Sequence, residues 1–321
     1  MAQHSSQSGN QPRNTSGPAN APPNTQIEVV SPVWLGKALA LTFAVALLCA
    51  YLTACLLFYQ GVWQLVLHPS HTVDRTPEAA GLPFTSVHFG DFSTGTPHLT
   101  GWWVPAETTP QTAAGPRHPA LTILYLHSGS GSLSDTLPSL TLLHQTGLNV
   151  FAIDYRGFGA SDASAHPDAG LMAQDAAAAL DYLVNTQHVA GTSIVPMGAG
   201  VGASLAVQLA RDHPELPAVI LDNPDPDPAG TAAAASPSKI IPIRLLFGDR
   251  FAIAGPLAHL TTPKLLIAGG RSASSPATAS LADLFPRAAD PKYTVTLPSA
   301  GSDTALQDAL RRFLDRYAPQ R

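Results

Sequence analysis

Residues 195–205 read VPMGAGVGASL. An apolar run ending at Met197 passes through Gly198, Gly200 and Gly202 into a stretch of helical character. That is the layout of a sharp strand-to-helix turn, with the spacing of the pattern G-x-S-x-G and a glycine in the serine's place. A residue at the tip of such a turn is held in a strained backbone conformation, which glycine tolerates at little cost.

Working outward, short apolar runs alternate with helix-like segments. The strand candidates are 84–89, 98–104, 121–127, 149–154, 192–197, 218–222, 264–269 and 293–297. This alternation predicts an eight-stranded, mostly parallel sheet with helices on both faces, in one large domain over 59–321. Ala176, Ala179, Leu180, Leu183 and Val184 hold helical spacing, as do Leu306, Leu310, Phe313, Leu314 and Tyr317, and both stripes are read as core. Between Asn223 and Leu260 the pattern dissolves into a Pro- and Ala-rich insertion, so 224–260 is a candidate for a short lid.

Upstream of the domain, Ala38 to Phe58 forms 21 residues without a charge, enough to cross a hydrocarbon core of about 30 Å at about 1.5 Å per residue. Trp34 precedes the run, and Tyr59 and Trp63 follow it, as expected at two membrane interfaces. A retained transmembrane anchor over 34–58 is expected rather than a cleaved signal, whose apolar region is shorter. Arg13 and Lys37 precede the run and the next basic residue is Arg75, a bias that places the N-terminus in the cytoplasm and the domain outside. Residues 1–33, rich in Ser, Asn, Gln, Pro and Gly, read as a disordered tail.

Composition narrows the chemistry. Cys49 and Cys55 both lie inside the apolar run, so the domain has no thiol for a disulfide, a nucleophile or a zinc site. The net charge of -5 gives no basic excess to attract nucleic acid. His68, His71 and Asp74 fall in a segment broken by Pro69 with no further ligands nearby, and are read as surface residues; no metal or other cofactor is implied.

Several stretches, in this order, carry a resemblance: FYQGVWQLVLHPS (58–70), GWWVPA (101–106), LYLHSGSGS (124–132), DYRGFGASD (154–162), GAGVGASLA (198–206), PKLLIAGGRSASSP (263–276) and LPSAGSD (297–303). Together they resemble the α/β-hydrolases, in the membrane-anchored branch similar to serine aminopeptidases and esterases. The resemblance implies the α/β-hydrolase fold from about Phe58 to the C-terminus, preceded by one transmembrane helix. It implies that His127 and Ser128 lie on the loop giving half of an oxyanion hole, with Val201 giving the other backbone N–H. The DYRGFG turn is read as structural.

The family's chemistry uses Ser, Asp or Glu, and His in that order. Carried over, these positions fall on Gly200, Ser272 and Ser302, and all three are changed. Independently of register, His259 is the last histidine of the chain, so no shift in alignment supplies the base. Asp222 is an alternative acid position, and Ser130, Ser132 and Ser204 are alternative hydroxyls, but a serine without a base is a weak nucleophile. Two readings follow. One is a catalytically silent, membrane-anchored domain that binds a small carboxylate or ester ligand, or a partner, as other members of the family act without hydrolysis. The other is an active serine-type esterase or peptidase with relocated catalytic residues.

Overall fold

Residues 31–90, 95–96, 98–106, 121–164, 166–270, 282–298 and 302–318 are described in the computed structural model of the chain. Of the expected tail, only Ser31, Pro32 and Val33 fall among them. Ser31 caps helix α1 (Pro32–Gly61), accepting from the amides of Trp34 at 3.2 Å and Leu35 at 3.1 Å, while Pro32 takes a first-turn position where its missing N–H costs nothing. α1 is apolar on all sides, and by length and composition it is able to cross a membrane. The chain divides into two compact units, Met1–Tyr51 and Leu52–Arg321, and the sheet belongs to the second.

The strands are β1 (His68–Pro69), β2 (Thr85–Phe89), β3 (Leu99–Val104), β4 (Thr122–Leu126), β5 (Ser130–Gly131), β6 (Asn149–Asp154), β7 (Ile194–Ala199), β8 (Val219–Asp222), β9 (Lys264–Gly269) and β10 (Lys292–Leu297). Each of the eight expected strands is present within two residues of its expected ends. They form one sheet in the order β10-β9-β8-β7-β4-β6-β3-β2, in which all neighbours are parallel except β2 with β3 and β3 with β6. The short parallel pair β1 and β5 was not expected from the sequence; two residues carry too little pattern to register.

Alternate side chains along each strand feed two cores. Leu124, Leu126, Phe151 and Ile153 pack on one face with α3 (Ala169–Asp181) and α4 (Gly202–Asp212). Ile123, Tyr125, Val150 and Ala152 pack on the other with α2 (Leu137–Gln145) and the C-terminal helix Ser302–Tyr317. The expected stripe on α3 holds through Leu183, but Val184 turns outward to 36% exposure. The helix continues as a π-helical segment, Tyr182–Thr186, whose wider turn breaks the 3.6-residue step that had aligned Val184 with the core.

The insertion is more ordered than its sequence pattern. Asp227 caps α5 (Pro228–Ala235), accepting from Gly230 N at 2.9 Å, and α6 (Ile243–Phe247) and α7 (Ala254–Leu257) follow. Arg244 pairs with Asp227 and joins α6 to that cap. Further on, Lys264 is fully buried, and its ammonium donates to the carbonyls of Leu260, Ala289 and Pro291 at 2.7, 2.8 and 3.3 Å.

Candidate functional site

Because β4, β7 and β8 are parallel neighbours, the loops after them leave the sheet at the same edge, where ligands bind in open α/β sheets. The tip of the β7–α4 turn is Gly200, at φ 55°, in the left-handed region that only glycine enters cheaply. Its neighbours are glycines for a different reason. A Cβ on Gly198 would overlap the backbone of Gly202, and one on Gly202 would overlap the carbonyl of Leu126 and lie 2.6 Å from that of His127. The turn is therefore pressed against the end of β4, and it is tied to β8 by Gly200 N donating to Asp222 O at 2.9 Å.

These loops enclose a cavity of about 430 Å³ whose wall includes Ser128, Gly200, Val201 and Asp222. The sequence-predicted residues Ser128, Gly200 and Val201 are thus brought together. Among the described residues, none accepts a hydrogen bond from the amide of Ser128 or of Val201. Ser272 lies outside the described residues, and Ser302 is described by its backbone alone, as the first residue of the C-terminal helix.

The wall also carries groups that the sequence reading did not assign to it: Tyr125, Asp135, Ser139 and Asp225, together with His68 at the rim. His68 reaches the site because β1 pairs with β5, with His68 opposite Ser130. His71 and Asp74, grouped with it in the sequence, are exposed and outside the wall. Asp135 arrives through a capping box, in which its carboxylate accepts from Ser132 N at 3.0 Å. A Ser-x-x-Asp spacing was the only signal in the sequence for that placement.

The electrostatics are acidic. Asp135, Asp222 and Asp225 line the cavity with no Lys or Arg among the lining residues. Burial raises the pKa of Asp222 to about 6, against the bond it accepts from Asn223 Nδ2 at 2.8 Å. Burial lowers His127 to about 4, so this ring is neutral at pH 7. It lies 4.6 Å from the Tyr155 ring and 5.3 Å from Phe158, with Nδ1 2.5 Å from Ser128 O; Nε2 has no hydrogen bond and stands 3.7 Å from Asp154. Among the described residues no serine hydroxyl of the cavity is hydrogen-bonded to a histidine side chain. Of the other serines weighed, Ser132 donates to Thr72 O at 3.0 Å, and Ser204 donates to Val201 O at 2.8 Å.

The DYRGFG turn supports this edge without entering it. The Asp154 carboxylate accepts from Leu133 N at 2.9 Å and Ala160 N at 3.2 Å, and a Cβ on Gly159 would overlap it. Arg156 is held by the buried Asp175, with Nε donating at 2.6 Å and its backbone N at 2.8 Å.

Residues 117–248 match the family model described as serine aminopeptidase, S33. An uncharacterized protein of Mycobacterium tuberculosis is 32% identical over 227 residues, covering 68% of this chain and 76% of that protein. The chain belongs to the α/β-hydrolase family. The protein YfhR of Salmonella typhi is 25% identical over 233 residues, covering 69% of this α/β-hydrolase chain and 73% of YfhR. Among solved structures, the esterase Pf2001 of Pyrococcus furiosus superposes with a TM-score of 0.59 at 18% identity, covering 79% of this chain and 98% of the esterase, a likeness of fold.

Proposed function

We propose that this α/β-hydrolase-fold protein is catalytically silent and acts by binding a small neutral ligand, such as an ester, in the cavity beneath Gly200. The observation that carries the reading is the occupant of the turn: Gly200 has no side chain to attack a carbonyl, yet the turn keeps the left-handed tip. The lack of any histidine after His259 supports it, because the base of the family's triad follows the last strand. The positions equivalent to the triad are Gly200, Ser272 and Ser302, and none of these residue types reproduces the nucleophile, acid or base of its position.

What persists is the binding half of a hydrolase site. The amides of Ser128 and Val201 serve in this reading as an oxyanion-hole-like pair, supported by their place in the cavity wall without an acceptor among the described residues, and the positive end of α4 adds to them. Three lining carboxylates without a Lys or Arg among the lining residues oppose a free carboxylate ligand and favour an uncharged carbonyl compound. Residues 34–58 of α1 anchor the protein in a membrane in a single pass, with the N-terminus in the cytoplasm and the domain on the other side.

The alternative, a hydrolase with relocated residues, draws on Ser128, Ser130 and Ser139 sharing the cavity wall with His68. Treatment of the purified full-length chain with a fluorophosphonate probe separates the two. No serine is labelled if the site is silent; stoichiometric labelling that Ser128→Ala, Ser130→Ala or Ser139→Ala abolishes would overturn the proposal.

A further inference from the structure

Beyond Tyr59, the exposed large apolar side chains among the described residues are Val184, Ile240 at 80% and Leu245 at 78% exposure. Ile240 and Leu245 lie in the insertion, on either side of buried Ile241 and Ile243. α6 therefore packs inward through Ile243 and Phe247 and presents Leu245 to the outside. Exposing two branched aliphatic side chains so fully on one short segment forgoes the burial that ordinarily stabilises such residues.

The segment has a definite neighbour. α5 and α6 both pack on the 3-10 turn Val62–Leu65, which directly follows α1. Arg250, after α6, donates to the carbonyls of Leu246 at 2.8 Å and Phe247 at 2.6 Å, and its guanidinium lies 5.1 Å over the ring of Tyr59. Tyr59 is the first residue after the uncharged run. Ala54, Cys55 and Phe58, the last turns of that run, pack on the same core cluster that contains Ile241, Ile243 and Phe247. The insertion is thus joined by direct contacts to the point where the apolar helix ends.

Its charge fits the same surface. Lys239 and Arg244 are exposed beside Ile240 and Leu245, Arg244 being paired with Asp227, and across 227–250 the three basic residues Lys239, Arg244 and Arg250 stand against two acidic ones, Asp227 and Asp249, in a chain whose net charge is -5. Basic residues interleaved with exposed aliphatic ones are the composition that settles into the headgroup region of an anionic bilayer.

We infer that the face carrying Lys239, Ile240, Arg244 and Leu245 docks on an anionic lipid surface beside the exit of α1, with the two aliphatic side chains inserted among the headgroups. The inference rests on the reading that residues 34–58 span a membrane. Pro224, Asp225 and Thr231 of the same insertion line the cavity, so a docked insertion sets the cavity wall against the membrane face.

The test uses the full-length chain in vesicles of phosphatidylcholine with phosphatidylserine, with Cys49 and Cys55 replaced by alanine. A fluorophore is placed in turn at Leu47→Cys, Val184→Cys, Ile240→Cys and Leu245→Cys. Val184 is the control, because α3 starts near the cavity edge and ends at the opposite edge of the sheet. Lipid carrying a shallow nitroxide should quench the labels at 240 and 245 at least about threefold more than the label at 184, with matching protection from aqueous iodide. Quenching no greater than at 184 overturns the inference. Protection from iodide without lipid quenching also overturns it, since a protein surface then covers the face. The label at 47 reads the anchor separately, against lipid carrying a deep nitroxide near the bilayer centre: if it is quenched there while 240 and 245 are not quenched by the shallow one, the anchor stands and the docking fails. If 47 is not quenched while 240 and 245 are, the docking stands and the anchor fails.

Discussion

Gly200 lies so close beneath Ser128 that a Cβ built on it would stand 3.2 Å from the Ser128 Cβ. Two constraints therefore act on one position, a left-handed φ of 55° and a tight neighbour. Gly200→Ser should destabilise the fold by about 1–2 kcal/mol and confer no esterase activity, since the added hydroxyl lacks a base. Thermal melts and ester hydrolysis check both halves. Activity in the single variant would reveal a base that the proposed reading denies.

Gly202→Ala should cost more, about 2–4 kcal/mol, because the obstacle is the backbone of Leu126 and His127 rather than a side chain free to turn. Denaturant unfolding of the two glycine variants side by side tests the ranking. A smaller loss for Gly202→Ala would mean that the elbow does not press on β4.

Asp222 gives a pH-dependent prediction. Its folded pKa of about 6 lies above the ordinary aspartate value of 3.8, so between these values the folded form keeps a proton that the unfolded form has released. Stability consequently falls as pH rises through that window, and the cost is fully present above about 6. Asp222→Asn, which keeps the shape without the charge, should stabilise the protein at pH 8 by about 1–3 kcal/mol, with the gain shrinking toward pH 4. Melts at the two pH values decide it, and a gain independent of pH would show that Asp222 titrates normally in the fold.

Lys264→Met leaves the carbonyls of Leu260, Ala289 and Pro291 without the ammonium that serves them. A loss of about 2–3 kcal/mol is expected in urea titration, since each unsatisfied buried acceptor is costly. A loss below about 1 kcal/mol would mean that water takes over the role.

If α1 spans a membrane, the full-length chain should remain in the membrane pellet through high-salt and alkaline washes. Release of the chain by alkali alone would count against the anchor.

The sequence by itself determined the strands, the apolar helix and the glycine turn, because each is written in local order. Period-two and continuous apolar runs such as LTILYL and NVFAID suffice to mark strands. Twenty-one uncharged residues suffice to mark a helix able to cross a membrane. Gly200 stood out because spacing alone defines the motif. Tertiary structure decided what surrounds it. The cavity wall is assembled from the ends of β4, β7 and β8, from β1 and from the capping turn at Ser132, and strand order, the β1–β5 pair and the capping box together make these segments neighbours. The acidic lining follows from that assembly: Asp135, Asp222 and Asp225 are separated by up to 90 residues in the chain and share no local pattern. Nor could the sequence place Ile240 and Leu245 outside and Ile241 and Ile243 inside, because four similar aliphatic residues within six positions carry no periodicity until α6 is packed against the turn at Val62.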